Sequence, residues 1–381
     1  LAGGLSPERC RRLTVAMQGY IDRGEVPGVQ TLIWRHGELA HRDVLGLESF
    51  GGAPLEGDAL YRLGSLTKPI VSVMALAFLE EGVFRLSDRV DRWLPELARV
   101  NVLRDPAGAL DDTVPLARPM TVGDLLTHRS GLVSWTLPQG PIGQAVRGLV
   151  AGISQRPDIG PDEWLARLGK LPLMCQPGER FLMGFSIDVL GILLARLAGT
   201  TLDKLLQERL FGPLGMHDTG FWSAARLGEA YNAGWLSPKK TVVDPRDGYW
   251  SRPPKFCSGG GGLISTTEDY ARFGRMLLGQ GVLDGVRILS RKTVEFMTLD
   301  FLTPPQRAQK YFGSDYWASR GFGLGVFVTD NIVQRGAFGN YWFNDPREAM
   351  VAVLMITVNW PIVEPPILQE FETMVYQAIG D

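Results

Sequence analysis

The stretches able to form strands lie at the two ends of this chain, and the middle is helical and loop-rich. Gln30 to Leu47 reads as two strands joined by the turn Arg35-His36-Gly37-Glu38. Gly321 to Thr329, Arg335 to Asn344 and Ala349 to Val358 read as strands near the other end. A sheet must bury at least one face, so these segments point to one antiparallel sheet closed by both termini, with the middle as an insertion. The expected fold is α+β: N- and C-terminal strands flanked by helices, plus an inserted, mostly helical subdomain. Residues 1–85 and 255–381 would form the sheet-bearing part and residues 86–254 the insertion, with a cleft between them.

Local signals fill in the helices. Leu5 to Gly24 is helical and ends before Val26-Pro27-Gly28. Thr121 and Asp124 open a short helix running into Thr127-His128-Arg129-Ser130-Gly131-Leu132. Ser186 is placed to cap an apolar helix, Ile187 to Leu197, closed by Gly199. Gly259 to Gly262 is a tight bend before Ser265 and Glu268, a capping-box pattern that opens a helix to Leu278. Ile367 to Ala378 is the last helix.

Composition excludes several function classes. The 381 residues are 45% hydrophobic with a formal net charge of −2, so a large core is available and no basic block offers itself to nucleic acid. No apolar run reaches the roughly 18 residues of a membrane span. The chain shows no signal-peptide pattern, which points to a cytoplasmic protein, although it starts at Leu1 and a leader could already be gone. Cys10, Cys175 and Cys257 are scattered, and the four histidines lack metal-ligand spacing, so neither a disulfide framework, a metal nor another cofactor is expected.

The chemistry-bearing feature is Ser65-Leu66-Thr67-Lys68, where a turn runs into the apolar stretch Ile70 to Leu79. Side chains three apart share a helix face, so Ser65 Oγ and Lys68 Nζ can meet. Pro69 is tolerated because first-turn N–H groups have no intrahelical partner. The positive end of the helix dipole favours a serine oxyanion, and burial makes a lysine lose its proton more readily. Such a pair is a nucleophile with its own base. A second Ser-x-x-Lys, Ser237-Pro238-Lys239-Lys240, has no helix behind it and reads as a solvated loop.

Other candidates are weaker. Gly184-Phe185-Ser186-Ile187-Asp188 narrowly misses the Gly-x-Ser-x-Gly elbow, with Asp188 in place of the second glycine. His128 and Ser130 invite a triad reading. Trp135, Tyr249, Trp250, Tyr341, Trp342 and Phe343 either line an acyl pocket or fill core.

Seven stretches in order resemble the serine β-lactamase and penicillin-binding-protein superfamily, in particular the class C β-lactamase-like family VIII carboxylesterases. They are Val26-Pro27-Gly28, Ser65-Leu66-Thr67-Lys68-Pro69, Leu125-Leu126-Thr127-His128-Arg129-Ser130-Gly131-Leu132, Pro177-Gly178-Glu179-Arg180-Phe181, Asp188-Val189-Leu190-Gly191, Pro213-Leu214-Gly215-Met216 and Ser258-Gly259-Gly260-Gly261-Gly262-Leu263. The resemblance implies a β-lactamase/transpeptidase-like fold, Ser65 as acylated nucleophile and Lys68 as its partner. It also implies an oxyanion hole from the N–H groups of Ser65 and Ala337, the latter just after Gln334-Arg335-Gly336 on an edge strand. The expected partner is a small-molecule ester, with acyl transfer or lactam and amide hydrolysis on the same serine as alternatives.

Two motifs depart from the family's pattern. Met183 stands where the family has a proton-shuttling tyrosine, and a thioether neither gives nor takes a proton at pH 7. Gln334 stands where the strand motif carries Lys, His or Trp. Three outcomes remain open: Lys68 acts alone in a drier pocket, a tyrosine such as Tyr231 or Tyr249 or a water replaces the phenol, or acylation is crippled and the cleft binds a ligand. Met183 is expected to pack against the acyl group. Gln334, Arg335 and Gly336 are expected to bind substrate, although strand alternation turns Gln334 and Arg335 to opposite faces.

Overall fold

The computed structural model describes residues 2–133, 140–150, 155–233, 240–309, 316–329, 332–335, 339–360 and 365–381, the side chains of residues 333–335 excepted. Seven strands form the main sheet: β1 (Gly28–Arg35), β2 (Glu38–Gly46), β3 (Gly321–Phe322), β4 (Phe327–Val328), β5 (Ile332–Arg335), β6 (Tyr341–Asp345) and β7 (Met350–Met355). Their spatial order is β3-β4-β5-β6-β7-β1-β2, and every pairing is antiparallel. Strand β1 pairs with β7 from Gln30↔Met355 to Arg35↔Met350, so strands from early and late in the sequence meet inside the sheet. The expected α+β architecture, an antiparallel sheet of N- and C-terminal strands flanked by helices, is present.

Alternation along the central strands sorts side chains to two buried faces. Val29, Ile33, Met350, Ala352 and Leu354 pack with Leu13 and Met17 of α1 (Pro7–Asp22) and Phe371 and Val375 of the C-terminal helix Pro366–Gln377. Leu32, Val351, Val353 and Trp342 face the other way, into the larger core shared with helix α2 (Thr67–Glu80). Residues Thr67 to Phe78 of α2 are all buried, as a helix apolar on every side requires.

Two expected strands are broken where the backbone must turn. Gly321 to Thr329 is a hairpin: β3 and β4 are separated by residues 323–326, with Gly325 at φ +84°. Arg335 to Asn344 splits into the ends of β5 and β6 around Gly339, at φ +83°. Two expected caps are shifted. The helix α3 (Ser186–Ala198) is capped at Phe185 without a side-chain bond, because the buried Ser186 hydroxyl pairs with Ser130 Oγ at 2.8 Å. For α4 (Thr267–Leu278), Thr266 caps by accepting from Asp269 N, while Ser265 Oγ bonds Thr219. The short helix expected at Thr121 and Asp124 is formed, and a capping box between those two residues opens it. Within the middle of the chain, Ala230–Ala233 pairs with Lys240–Asp244 and, in parallel, with Val358–Asn359.

Candidate active site

The Ser65 turn is held from several sides before any chemistry is considered. A 3-10 turn, Gly64–Leu66, leads directly into α2, with Gly64 at φ +53°. Leu63 N donates to Leu263 O, Leu263 N donates to Thr67 Oγ1, and the buried Tyr270 hydroxyl of α4 donates to Leu66 O at 2.9 Å. Strand β5 packs against this turn through its backbone. Ser65 is partly exposed, at the N-terminal end of α2 where the helix dipole is positive.

Lys68 Nζ lies 2.8 Å from Ser65 Oγ and 2.6 Å from Gly260 O, and the residue is only 4% exposed. Burial pulls the ammonium down to about 8; the Asp188 carboxylate pushes it back up and Arg156 adds to the fall. A lysine at that value is about one-tenth neutral at pH 7, enough to serve as a base. The spacing in the sequence therefore translates into a hydrogen-bonded serine–lysine pair.

Asp188 and Arg156 escape sequence reasoning. Both are buried, and Arg156 grips the carboxylate with Nη2 at 2.6 Å and Nε at 3.2 Å. Asp188 also accepts from Ser258 Oγ at 2.5 Å and Gly260 N at 3.2 Å. The available signal is a lone carboxylate in the first turn of α3, among Ile187, Val189 and Leu190.

Met183 is half-buried and packs on an aromatic cluster containing Phe181, Trp317, Phe322 and Phe327. Leu182 N donates to His128 O, which ties this segment to the turn after Leu126. Among the described residues His128 has no hydrogen-bond partner at either ring nitrogen, and it sits edge-on to Phe181 and Phe322. Burial, with Lys68 nearby, holds its pKa well below the usual value, so the imidazole is neutral. The His128–Ser130 triad is therefore not formed: Ser130 pairs with Ser186 instead. Ser186, fully buried in that pair, has no access to a substrate.

Neither alternative tyrosine fills the phenol's place by a hydrogen bond. Tyr231 donates to Glu229 and accepts from Phe50 N, and Tyr249 donates to Phe256 O at 3.4 Å. Among the described residues, the side chains of Ser65 and Lys68 hydrogen-bond only to each other and to Gly260 O. Trp250, Trp342, Phe343 and Tyr341 fill core, while Tyr249 is partly buried. Trp135, Ser237 to Lys239, Gly336 and Ala337 lie outside the described residues, as do the side chains of Gln334 and Arg335. The backbones of those two stand opposite Trp342 and Tyr341 on β6.

Among the described residues no group of His, Cys, Asp and Glu could hold a metal ion, and no helix is long and apolar enough to cross a membrane.

Residues 13–369 match the beta-lactamase family. The chain belongs to that family. It is 38% identical over 356 residues to an uncharacterized protein of Mycobacterium tuberculosis, covering 88% of this chain and 86% of that one. It is 32% identical over 379 residues to esterase EstB of Burkholderia gladioli, covering 91% and 89%. Among solved structures it is similar to EstCE1, a hydrolase with promiscuous acyltransferase activity, at a TM-score of 0.79 and 23% identity over 97% of this chain and 98% of that one. Membership of the beta-lactamase family and the family's fold agree with the resemblance carried by the seven sequence stretches.

Proposed function

We propose that this beta-lactamase-family protein is a serine esterase that cleaves small acyl or aryl carboxylic esters through an acyl-enzyme on Ser65. The observation that carries this reading is the 2.8 Å contact between Ser65 Oγ and a buried Lys68 whose ammonium is pulled down to about 8. Neutral Lys68 takes the hydroxyl proton as Oγ bonds to the ester carbonyl carbon. The resulting ammonium returns that proton to the departing alkoxide as the C–O bond breaks. Water then repeats the sequence on the acyl-enzyme and frees Ser65. The N–H groups of Ser65 and Ala337 would hold the oxyanion, each such donor being worth about 2.7–4 kcal/mol.

In the same reading Met183 faces the acyl group from its aromatic cluster, and Gln334, Arg335 and Gly336 bind substrate. The cleft lies between residues 1–85 with 255–381 and the insertion 86–254. Similarity to EstB supports esters as substrates, and similarity to EstCE1 supports acyl transfer to an alcohol in place of water as the second reading.

The test is hydrolysis of p-nitrophenyl acetate and butyrate by this chain and by Ser65→Ala, with intact-mass detection of the adduct. Turnover, or an acyl adduct, that vanishes in Ser65→Ala is expected. Equal rates in both with no adduct would leave the cleft as a ligand site and end the esterase reading.

A further inference from the structure

The Ser65–Lys68 pair does not stand alone. Behind it runs an unbroken polar connection through the core: Arg156 to Asp188, Asp188 to Gly260 N, Gly260 O to Lys68 Nζ, and Lys68 Nζ to Ser65 Oγ. Each link comes from a different part of the chain. Arg156 precedes the helix Pro161–Leu168, Asp188 is in α3, Gly260 is in the bend before α4, and the pair itself is in α2. The bend admits no side chain at Gly260, because a Cβ there would lie 2.4 Å from Asp188 Oδ2. Asp188 thus holds the bend twice over, through Ser258 Oγ and Gly260 N, and no solvent reaches its carboxylate.

A buried ion pair is weak support for stability, since apolar residues of similar volume often serve as well. The value of this one lies in where it points. We propose that Asp188, paired with Arg156, is the positioning residue for the base: it holds Gly260 by its N–H, and the carbonyl on the other side of the same glycine aims the Lys68 amine at Ser65. This rests on the Ser65–Lys68 reading above. Asp188 never touches the reacting atoms; it acts through the bend and through its charge.

The charges around Lys68 come from several elements, and their signs make the inference testable. Asp188 on α3 favours the ammonium and Arg156 opposes it. His128, on the turn after the Thr121-capped helix, is neutral. Tyr249, near Asp188 and Arg156, and Cys257, near Tyr249 and Asp203, have their pKa values pushed up to about 12 mainly by burial and are uncharged in the working range. Removing Asp188 therefore lowers the pH at which Lys68 loses its proton, and removing Arg156 raises it, although both changes break the same ion pair.

The experiment follows the rate of Ser65 labelling by a fluorophosphonate from pH 5.5 to 10, with intact mass and Ser65→Ala as the reference. Wild type is expected to label once, with a rate that rises through about pH 8. Asp188→Asn should move that midpoint down and Arg156→Gln should move it up, each by about half a unit or more. The high-pH plateau of Asp188→Asn should fall roughly tenfold, because the amine is no longer aimed. Midpoints that stay put or move in the same direction would reduce the pair to a structural one and overturn the proposal alone. No labelling in wild type would overturn the Ser65 reading, and this inference with it. Where a single variant does not fold, the uncharged double variant Arg156→Met/Asp188→Leu keeps the volume, and a full-rate plateau there would equally overturn the proposal.

Discussion

At the scale of single residues, Met183 poses the sharpest question. The proposed esterase reading puts it where the family carries a proton-shuttling tyrosine, and it packs on Phe181, Phe322 and Phe327. Tyr231 and Tyr249 have their hydroxyls committed to other groups, so no phenol reaches Ser65 by a hydrogen bond among the described residues. Losing a general acid–base group typically costs about 10²–10⁴-fold. Met183→Tyr is therefore expected to raise kcat/KM on p-nitrophenyl butyrate by about tenfold or more; a fall would mean that the thioether belongs to a rebuilt pocket. Legibility at this scale follows distance along the chain. Ser65 and Lys68 were readable because they lie three positions apart where a turn runs into α2. Arg156, Asp188 and Gly260 were not, because tertiary folding alone joins a turn, a helix and a glycine bend into one network. Asp188 was visible as a carboxylate in an apolar helix, but nothing local named its partner.

Among the elements, α4 shows how packing overrides local preference. Gly274 sits mid-helix, where glycine weakens a helix by about 1 kcal/mol relative to alanine. A Cβ at that position would lie 2.7 Å from both Trp342 Nε1 and Val351 Cγ1 on the sheet. Trp342 Nε1 donates to Asn344 Oδ1, and Asn344 Nδ2 donates to Gly274 O, so the contact is polar as well as tight. Gly274→Ala is thus expected to destabilise the protein by about 1–3 kcal/mol despite the better propensity, as urea unfolding would measure. An unchanged or higher midpoint would show that α4 can lift from the sheet. The caps at Ser186 and Ser265 were misplaced by one residue for a related reason. Both serines have tertiary hydroxyl partners, Ser130 and Thr219, that a local reading cannot see. The hairpin of β3 and β4 was foreshadowed by Gly323-Leu324-Gly325, a turn signal inside what otherwise reads as one strand.

For the molecule as a whole, one buried ion pair ties the segment leading into the Ser65 turn to the small three-stranded sheet. Arg62 Nε lies 2.6 Å from Asp244 Oδ2, both side chains are at most 2% exposed, and Arg62 Nη1 also donates to Gly228 O. Asn340 Nδ2 donates to Arg62 O, so the same segment is fixed from the main sheet. Asp244→Ala would leave the guanidinium buried and unpaired, and a loss of about 3–5 kcal/mol in urea unfolding is expected. A loss under about 1 kcal/mol would mean that water reaches Arg62 once the carboxylate is gone.

The pairing of β1 with β7 has a consequence during synthesis on the ribosome. Strand β1 emerges early and can form its hairpin with β2, but its other edge has no partner until the chain has passed Met355. From the time β1 is made until β7 follows it, the nascent chain carries an open strand edge, with the buried Val29, Leu32 and Ile33 on that strand not yet covered. Termination of synthesis before β7 should therefore give insoluble product rather than a smaller folded protein.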